Sequence, residues 1–240
     1  MAGAGSRFKE AGYSFPKPLI SIRGKPMIQW VLESLNLPYA NYTFVVNPEH
    51  RKQYALDDML HQLVYQLRIV EQRPPLLGAA DAVLQATRLL PSDDELLIVN
   101  SDQWIRWEPG RTIEEFHNTV ADGGILTFPS VHPKWSFAKP SEGYDSWSVT
   151  AVAEKVPISG MATAGLYWFK TVETYVDGVL AMMADPTKML RGEYYVCPVY
   201  NELIANNQRV VHRPVEVMYG LGTPEDLEEF KLAAIAGALV

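Results

Sequence analysis

Apolar runs rich in β-branched and aromatic residues alternate with segments of helical period, and this alternation constrains the fold of the chain more than any other feature. Residues 42–46, 67–70, 96–99 and 125–128 read as strands. Met27, Ile28, Val31, Leu32 and Leu35 recur at helical spacing, as do Ala82, Leu84, Ala86 and Leu89 after Gly78. Strands interleaved with helices imply crossover connections, so the expected class is α/β with a mostly parallel central sheet flanked by helices. From about 130 to 169 the pattern changes to short strands without long helices, at 135–138, 148–153 and 165–169. This stretch predicts a small mixed layer facing the substrate. Helices are expected at 172–183, 199–206 and 224–236, the last opened by Thr223 as N-cap with Pro224 at the first helical position.

The chain has 240 residues, 48% of them hydrophobic, enough for one substantial core, and it shows no repeat, low-complexity tract or linker. The reading is one domain over 1–240, in two halves, 1–128 and 129–240. A formal charge of −7 excludes general affinity for nucleic acid, which needs a surplus of Lys and Arg to displace the counterions around phosphates. A phosphate ligand must therefore meet a few placed cations. Cys197, the single cysteine, allows no internal disulfide, and no zinc spacing is present. With no apolar run of membrane-spanning length, the expectation is a soluble cytoplasmic protein without membrane partners.

Gly3-Ala4-Gly5-Ser6-Arg7 places two glycines, small residues and a cation in five positions, so that backbone N–H groups, Ala2 included, can approach phosphate oxygens. It continues to Pro16-Lys17-Pro18-Leu19 and Gly24-Lys25-Pro26-Met27. In this order the segments resemble the signature of the nucleoside-triphosphate transferases that make sugar nucleotides, the sugar-nucleotide pyrophosphorylases. The resemblance implies a Rossmann-like fold in which the loop wraps a triphosphate while Arg7 and Lys17 neutralise the transferring and leaving phosphates. It makes 1–128 the nucleotide-binding half and 129–240 the acceptor-binding half, and it assigns Gln72 to the base edge and Gly78 to the nucleoside. Asp102, at the end of an apolar strand, becomes the Mg²⁺ ligand; a turn or capping aspartate is the alternative reading of that position. Glu154, Lys155, Gly165 and Tyr167 correspond to the family's acceptor-binding segments, an acid for hydroxyls beside a lysine for phosphate. Gly222-Thr223-Pro224-Glu225-Asp226 is similar to the turn that closes the family's catalytic region.

The implied activity is transfer of a nucleoside monophosphate from an NTP to a sugar phosphate or other phosphorylated acceptor, releasing pyrophosphate, with Mg²⁺ as cofactor. Asn-Ser-Asp-Gln at 100–103 and the stretch 193–204 resemble small bacterial enzymes of surface-polysaccharide synthesis. Base, acceptor and oligomeric state stay open. Two departures stand out. The family's acid before the Gly-Thr turn is absent from Tyr219-Gly220-Leu221-Gly222, leaving Glu193, Glu225 or Asp226 as substitutes for a second metal ligand, and Trp135-Ser136 stands where the family has Tyr-Gly. The family also places an apolar strand before the glycine loop, so Met1 is expected to be internal, with the natural product starting upstream. The competing readings are a metal-dependent glycosyltransferase, disfavoured by a single acid at 100–102, and a catalytically silent nucleotide-binding module.

Overall fold

Strand and helix follow the side chains closely along the chain. The computed structural model describes residues 6–143 and 145–239. In chain order these form helix α1 (Ser6–Glu10), strands β1 (Ser21–Ile22) and β2 (Lys25–Pro26), helix α2 (Met27–Leu35), strand β3 (Tyr42–Val46), helices α3 (Pro48–Gln53) and α4 (Leu56–Leu63) and strand β4 (Leu67–Glu71). Helix α5 (Ala79–Thr87), strands β5 (Leu96–Val99) and β6 (Gln103–Arg106), helix α6 (Pro109–Asn118), and strands β7 (Gly123–Pro129), β8 (Ser136–Pro140), β9 (Val149–Glu154) and β10 (Met161–Phe169) come next. Helices α7 (Val172–Met183) and α8 (Val199–Ala205), strands β11 (Val210–Pro214) and β12 (Val217–Gly220) and helix α9 (Pro224–Ile235) complete the described chain.

These elements form two compact units. Each unit draws on separated stretches of the chain: one runs to Glu71 and adds Asn100–Trp107 and the chain from Glu216, and the other holds Gln72–Val99 and Glu108–Val215. The reason is the ladder between β6 and β12, Gln103 opposite Gly220 through Arg106 opposite Val217, which ties two segments distant in sequence into the first unit.

In the first unit, β3 and β4 pair in parallel, Tyr42 opposite Leu67 through Val46 opposite Glu71, the crossover arrangement that the alternating pattern implies. Helix α2 buries Met27, Ile28, Val31 and Leu35, one helical face. It ends at Asn36 in the left-handed region, a conformation asparagine tolerates better than most residues. Trp104 of β6, Tyr219 of β12 and Phe230 of α9 pack their rings at centroid distances of 5.8–6.0 Å. Thr223 caps α9 by accepting the Asp226 N–H at 3.2 Å, with Pro224 at the first position, as the sequence predicts.

The second unit is built on a six-stranded sheet in the order β11-β7-β10-β8-β9, with β5 also paired to β10. Only β7 and β11 are parallel in it, because the links through the 130–169 region are short and return the chain antiparallel. The mixed layer expected there is thus part of the main sheet. Strand β10 is buried along nearly its whole length, and its run Met-Ala-Thr-Ala-Gly-Leu-Tyr-Trp-Phe is the near-continuous apolar sequence of a strand covered on both faces. Tyr200 of α8 stacks on Phe169 at 4.6 Å and brings its hydroxyl within 2.9 Å of the Gly124 and Trp168 carbonyls. Leu89, expected on the α5 apolar face, lies past the helix and is 56% exposed. Bonds from the Leu89 and Leu90 N–H groups to the Ala86 and Thr87 carbonyls tighten the last turn and put Leu90 on the core instead. No helix among the described residues is long and apolar enough to cross a membrane.

Candidate active site

Pro16 and Pro18 fix the backbone on either side of Lys17, which opens a single 3₁₀ turn, Lys17–Leu19. The Lys17 ammonium donates to Asp102 Oδ2 at 2.6 Å, and the two side chains are 22% and 25% exposed. Asp102 occupies the turn just before β6, and its carbonyl accepts the Leu221 N–H at 2.7 Å. Gly222 stands directly behind the carboxylate: a Cβ at that position would lie 3.1 Å from Oδ2. Lysine, carboxylate and the Gly-Thr turn, far apart in sequence, therefore meet in the first unit.

A magnesium ion usually takes one or two protein carboxylates and completes its shell with water and substrate phosphate oxygens. Asp102 fits that role, since Oδ1 accepts no hydrogen bond from a described residue while Oδ2 holds the lysine. Among the described residues no three Asp, Glu, His or Cys gather to form a protein-only metal cage, so Glu193, Glu225 and Asp226 supply no such set. Arg7 is exposed on α1. The loop positions Ala2, Gly3, Ala4 and Gly5, and the side chain of Ser6, lie outside the described residues. Lys25 resolves into a surface pair, its ammonium 2.8 Å from both oxygens of Glu33.

The second unit holds the other predicted residues. Glu154 and Lys155 leave the end of β9 with their charges 3.3 Å apart, and their side chains are 11% and 28% exposed. Lys155 adopts a left-handed backbone, φ +57°, and its N–H donates to the Trp135 carbonyl at 3.0 Å. Its ammonium donates to the Tyr195 hydroxyl at 2.9 Å and lies 4.1 Å from the centre of that ring. The Ser136 hydroxyl donates to Glu154 Oε2. Tyr195 carried no role in the sequence reading, because its pairing with Lys155 spans 40 residues and leaves no local pattern.

Gly165 has φ +69° at the irregularity in β10 between Thr163 and Tyr167. Four residues of regular strand would span about 13 Å; the bulge and the length of the tyrosine bring the Thr163 and Tyr167 hydroxyls to 2.9 Å. Tyr167 is buried, and burial pushes its hydroxyl well above the usual tyrosine range. Burial acts likewise on the Cys197 thiol, pushing it well above the ordinary cysteine range. Gly78, the N-cap of α5, has φ +110°, and a Cβ there would lie 2.6 Å from the Tyr194 carbonyl oxygen. Its lack of a side chain thus has a packing cause within the unit. Gln72 keeps a buried Oε1 with no hydrogen-bond partner among the described residues, an acceptor left for a ligand or water to satisfy.

A nucleotidyl transferase family model matches residues 1–231. The chain belongs to the nucleotidyl transferase family. Curated relatives include the bifunctional sugar-1-phosphate nucleotidylyltransferase/acetyltransferase of Sulfurisphaera tokodaii, 24% identical over 181 residues, which are 74% of this chain and 42% of the relative. The bifunctional protein GlmU of Methanococcus maripaludis is 26% identical over 211 residues, 86% of this chain and 46% of that protein. The chain thus spans somewhat under half the length of these family members. Among solved structures, the nucleoside-diphosphate-sugar pyrophosphorylase from Vibrio cholerae superposes with a TM-score of 0.84 at 27% identity, covering 97% of this chain and 98% of that one. A UDP-glucose pyrophosphorylase complexed with UDP-glucose gives a TM-score of 0.79 at 16% identity, over 98% and 96% of the two chains, a likeness of fold. The Rossmann-like α/β class expected of the family is confirmed, but the six-stranded sheet is mixed, with one parallel pair, where a mostly parallel sheet was expected.

Proposed function

We propose that the chain transfers a nucleoside monophosphate from an NTP to a sugar phosphate. An acceptor phosphate oxygen attacks the α-phosphorus, a new P–O bond forms, and the bond from the α-phosphorus to the bridging oxygen breaks. Its electron pair leaves with pyrophosphate. The observation that carries this reading is the Lys17–Asp102 pair, 2.6 Å apart and largely withdrawn from water, in a chain of this family. Attack by one anion on another is opposed by repulsion, and a positioned cation in a site of reduced water content lowers that barrier. Lys17 supplies such a cation, and Arg7 a second. Asp102 would hold Mg²⁺, which supplies further neutralisation of phosphate charge when bound.

Gln72 meets the base through its unpartnered oxygen, and Gly78 lets the backbone lie against the nucleoside. Lys155 holds the acceptor phosphate and Glu154 an acceptor hydroxyl, roles consistent with their adjacent, partly buried charges. The mannose-1-phosphate guanyltransferase of Aspergillus fumigatus, 29% identical over 136 residues, supports a hexose 1-phosphate as acceptor class. Supply of activated sugars for surface polysaccharide is the role we assign to the product, in the cytoplasm. The test is pyrophosphate release across four NTPs and a panel of sugar phosphates and phosphorylated alcohols, with and without Mg²⁺. Metal-dependent release from at least one pair is expected, and release from none overturns the reading.

A further inference from the structure

Glu154 is not held by its neighbours on β9 alone. Ser136, opposite it in the β8–β9 ladder, donates its hydroxyl to Oε2, while Oε1 faces the Lys155 ammonium at 3.3 Å. A serine has one proton to give, and the carboxylate is the strongest acceptor it meets, so that proton goes to Glu154.

We propose that Ser136 is a positioning residue for acceptor recognition: by occupying Oε2 it locks the Glu154 carboxylate and leaves Oε1 as the oxygen offered to the acceptor. The inference rests on the acceptor role assigned to Glu154 above. It gives the Trp135-Ser136 departure from the family's Tyr-Gly a physical consequence, since a glycine there has no hydroxyl to give.

The test uses the full chain with glucose 1-phosphate or mannose 1-phosphate, whichever gives faster pyrophosphate release, and the best NTP. Ser136→Ala is expected to raise the acceptor KM about tenfold, with kcat and the NTP KM within about twofold of the parent. Ser136→Thr, which keeps the hydroxyl, restores most of the loss. Glu154→Gln raises the acceptor KM at least as far, and adding Ser136→Ala to it has no further effect, because the two act as one unit. If Glu154→Gln raises the acceptor KM and Ser136→Ala does not, the positioning role is wrong and the acceptor reading stands. An unchanged acceptor KM in Glu154→Gln, or a parent that releases no pyrophosphate, removes the acceptor reading and this inference with it. A Ser136→Ala change that lowers the melting temperature and shifts kcat and both KM values together shows a merely structural role and also overturns it.

Discussion

Gly78→Ala should destabilise the second unit severely, and the structure says by how much. The backbone at Gly78 has φ +110° and ψ −171°, a region essentially reserved for glycine, and holding a residue with a Cβ there costs about 1–3 kcal/mol. The added carbon would sit 2.6 Å from the Tyr194 carbonyl oxygen, 2.8 Å from its nitrogen and 2.9 Å from Glu193 Cβ. Two of these are main-chain atoms that cannot swing aside, and they make the bonds bracketing the glycine: Tyr194 N–H to the Leu77 carbonyl at 2.7 Å and Ala80 N–H to the Tyr194 carbonyl at 3.0 Å. Forcing them apart adds about 1–3 kcal/mol of overpacking, for a total of about 2–6 kcal/mol. Gly192→Ala is the control, because φ there is +81° and nothing lies within 4 Å of its added Cβ, leaving only the backbone cost. With a urea slope of about 2–3 kcal/mol per molar, the Gly78→Ala midpoint should fall roughly 0.5–1 M below that of Gly192→Ala, without any nucleotide present. Equal midpoints would refute the packing argument and return Gly78 to a role exerted only on ligand.

Three further outcomes follow from other parts of the molecule. Lys17→Met, which removes the ammonium from Asp102, should lower kcat by about 10²–10³ with the fold intact by circular dichroism; a variant with parental kcat would remove Lys17 from the chemistry. Thr223→Ala deletes the N-cap of α9 and should cost about 1 kcal/mol in denaturant unfolding, whereas Thr223→Ser should cost little. His212 is buried between the Thr127 hydroxyl and the Ser146 carbonyl, and burial lowers its pKa, with Arg213 acting the same way. The unfolded chain therefore takes up this proton first, so the contribution of a neutral His212 is fully present above about pH 6.5 and is lost as pH falls, by at most about 1.4 kcal/mol per unit. Urea midpoints at pH 7.5 and 5.5 should diverge less in His212→Gln than in the parent, and identical divergence would contradict this.

What could be read from the sequence was what is local. The strand at Tyr42–Val46 and helix α7 follow from side-chain type and period, and the α9 cap from a Thr-Pro pair, so each matches its expected span. Lys17 and Asp102 could be singled out because short motifs flank them; their contact across 85 positions could not be read. The partners of Glu154 and Lys155 depend on ladder register and on a segment 40 residues away, information no window of sequence carries. Leu89 failed as a helix-face residue for a related reason: the helix ended two residues before it, and boundaries are set by the last turn's hydrogen bonds more than by periodicity. The division into units escaped the sequence as well, since the β6–β12 ladder closes over more than a hundred residues.

The central claim is nucleotidyl transfer that depends on the Lys17–Asp102 pair, and one measurement reaches it most directly: pyrophosphate release by the parent and by Asp102→Asn, titrated with Mg²⁺. Asn keeps the shape at position 102 and removes the charge that pairs with the lysine and that would hold the metal. The account predicts metal-dependent release by the parent and a loss of about 10²-fold or more in Asp102→Asn that added Mg²⁺ does not fully recover. Parental turnover by Asp102→Asn would contradict it.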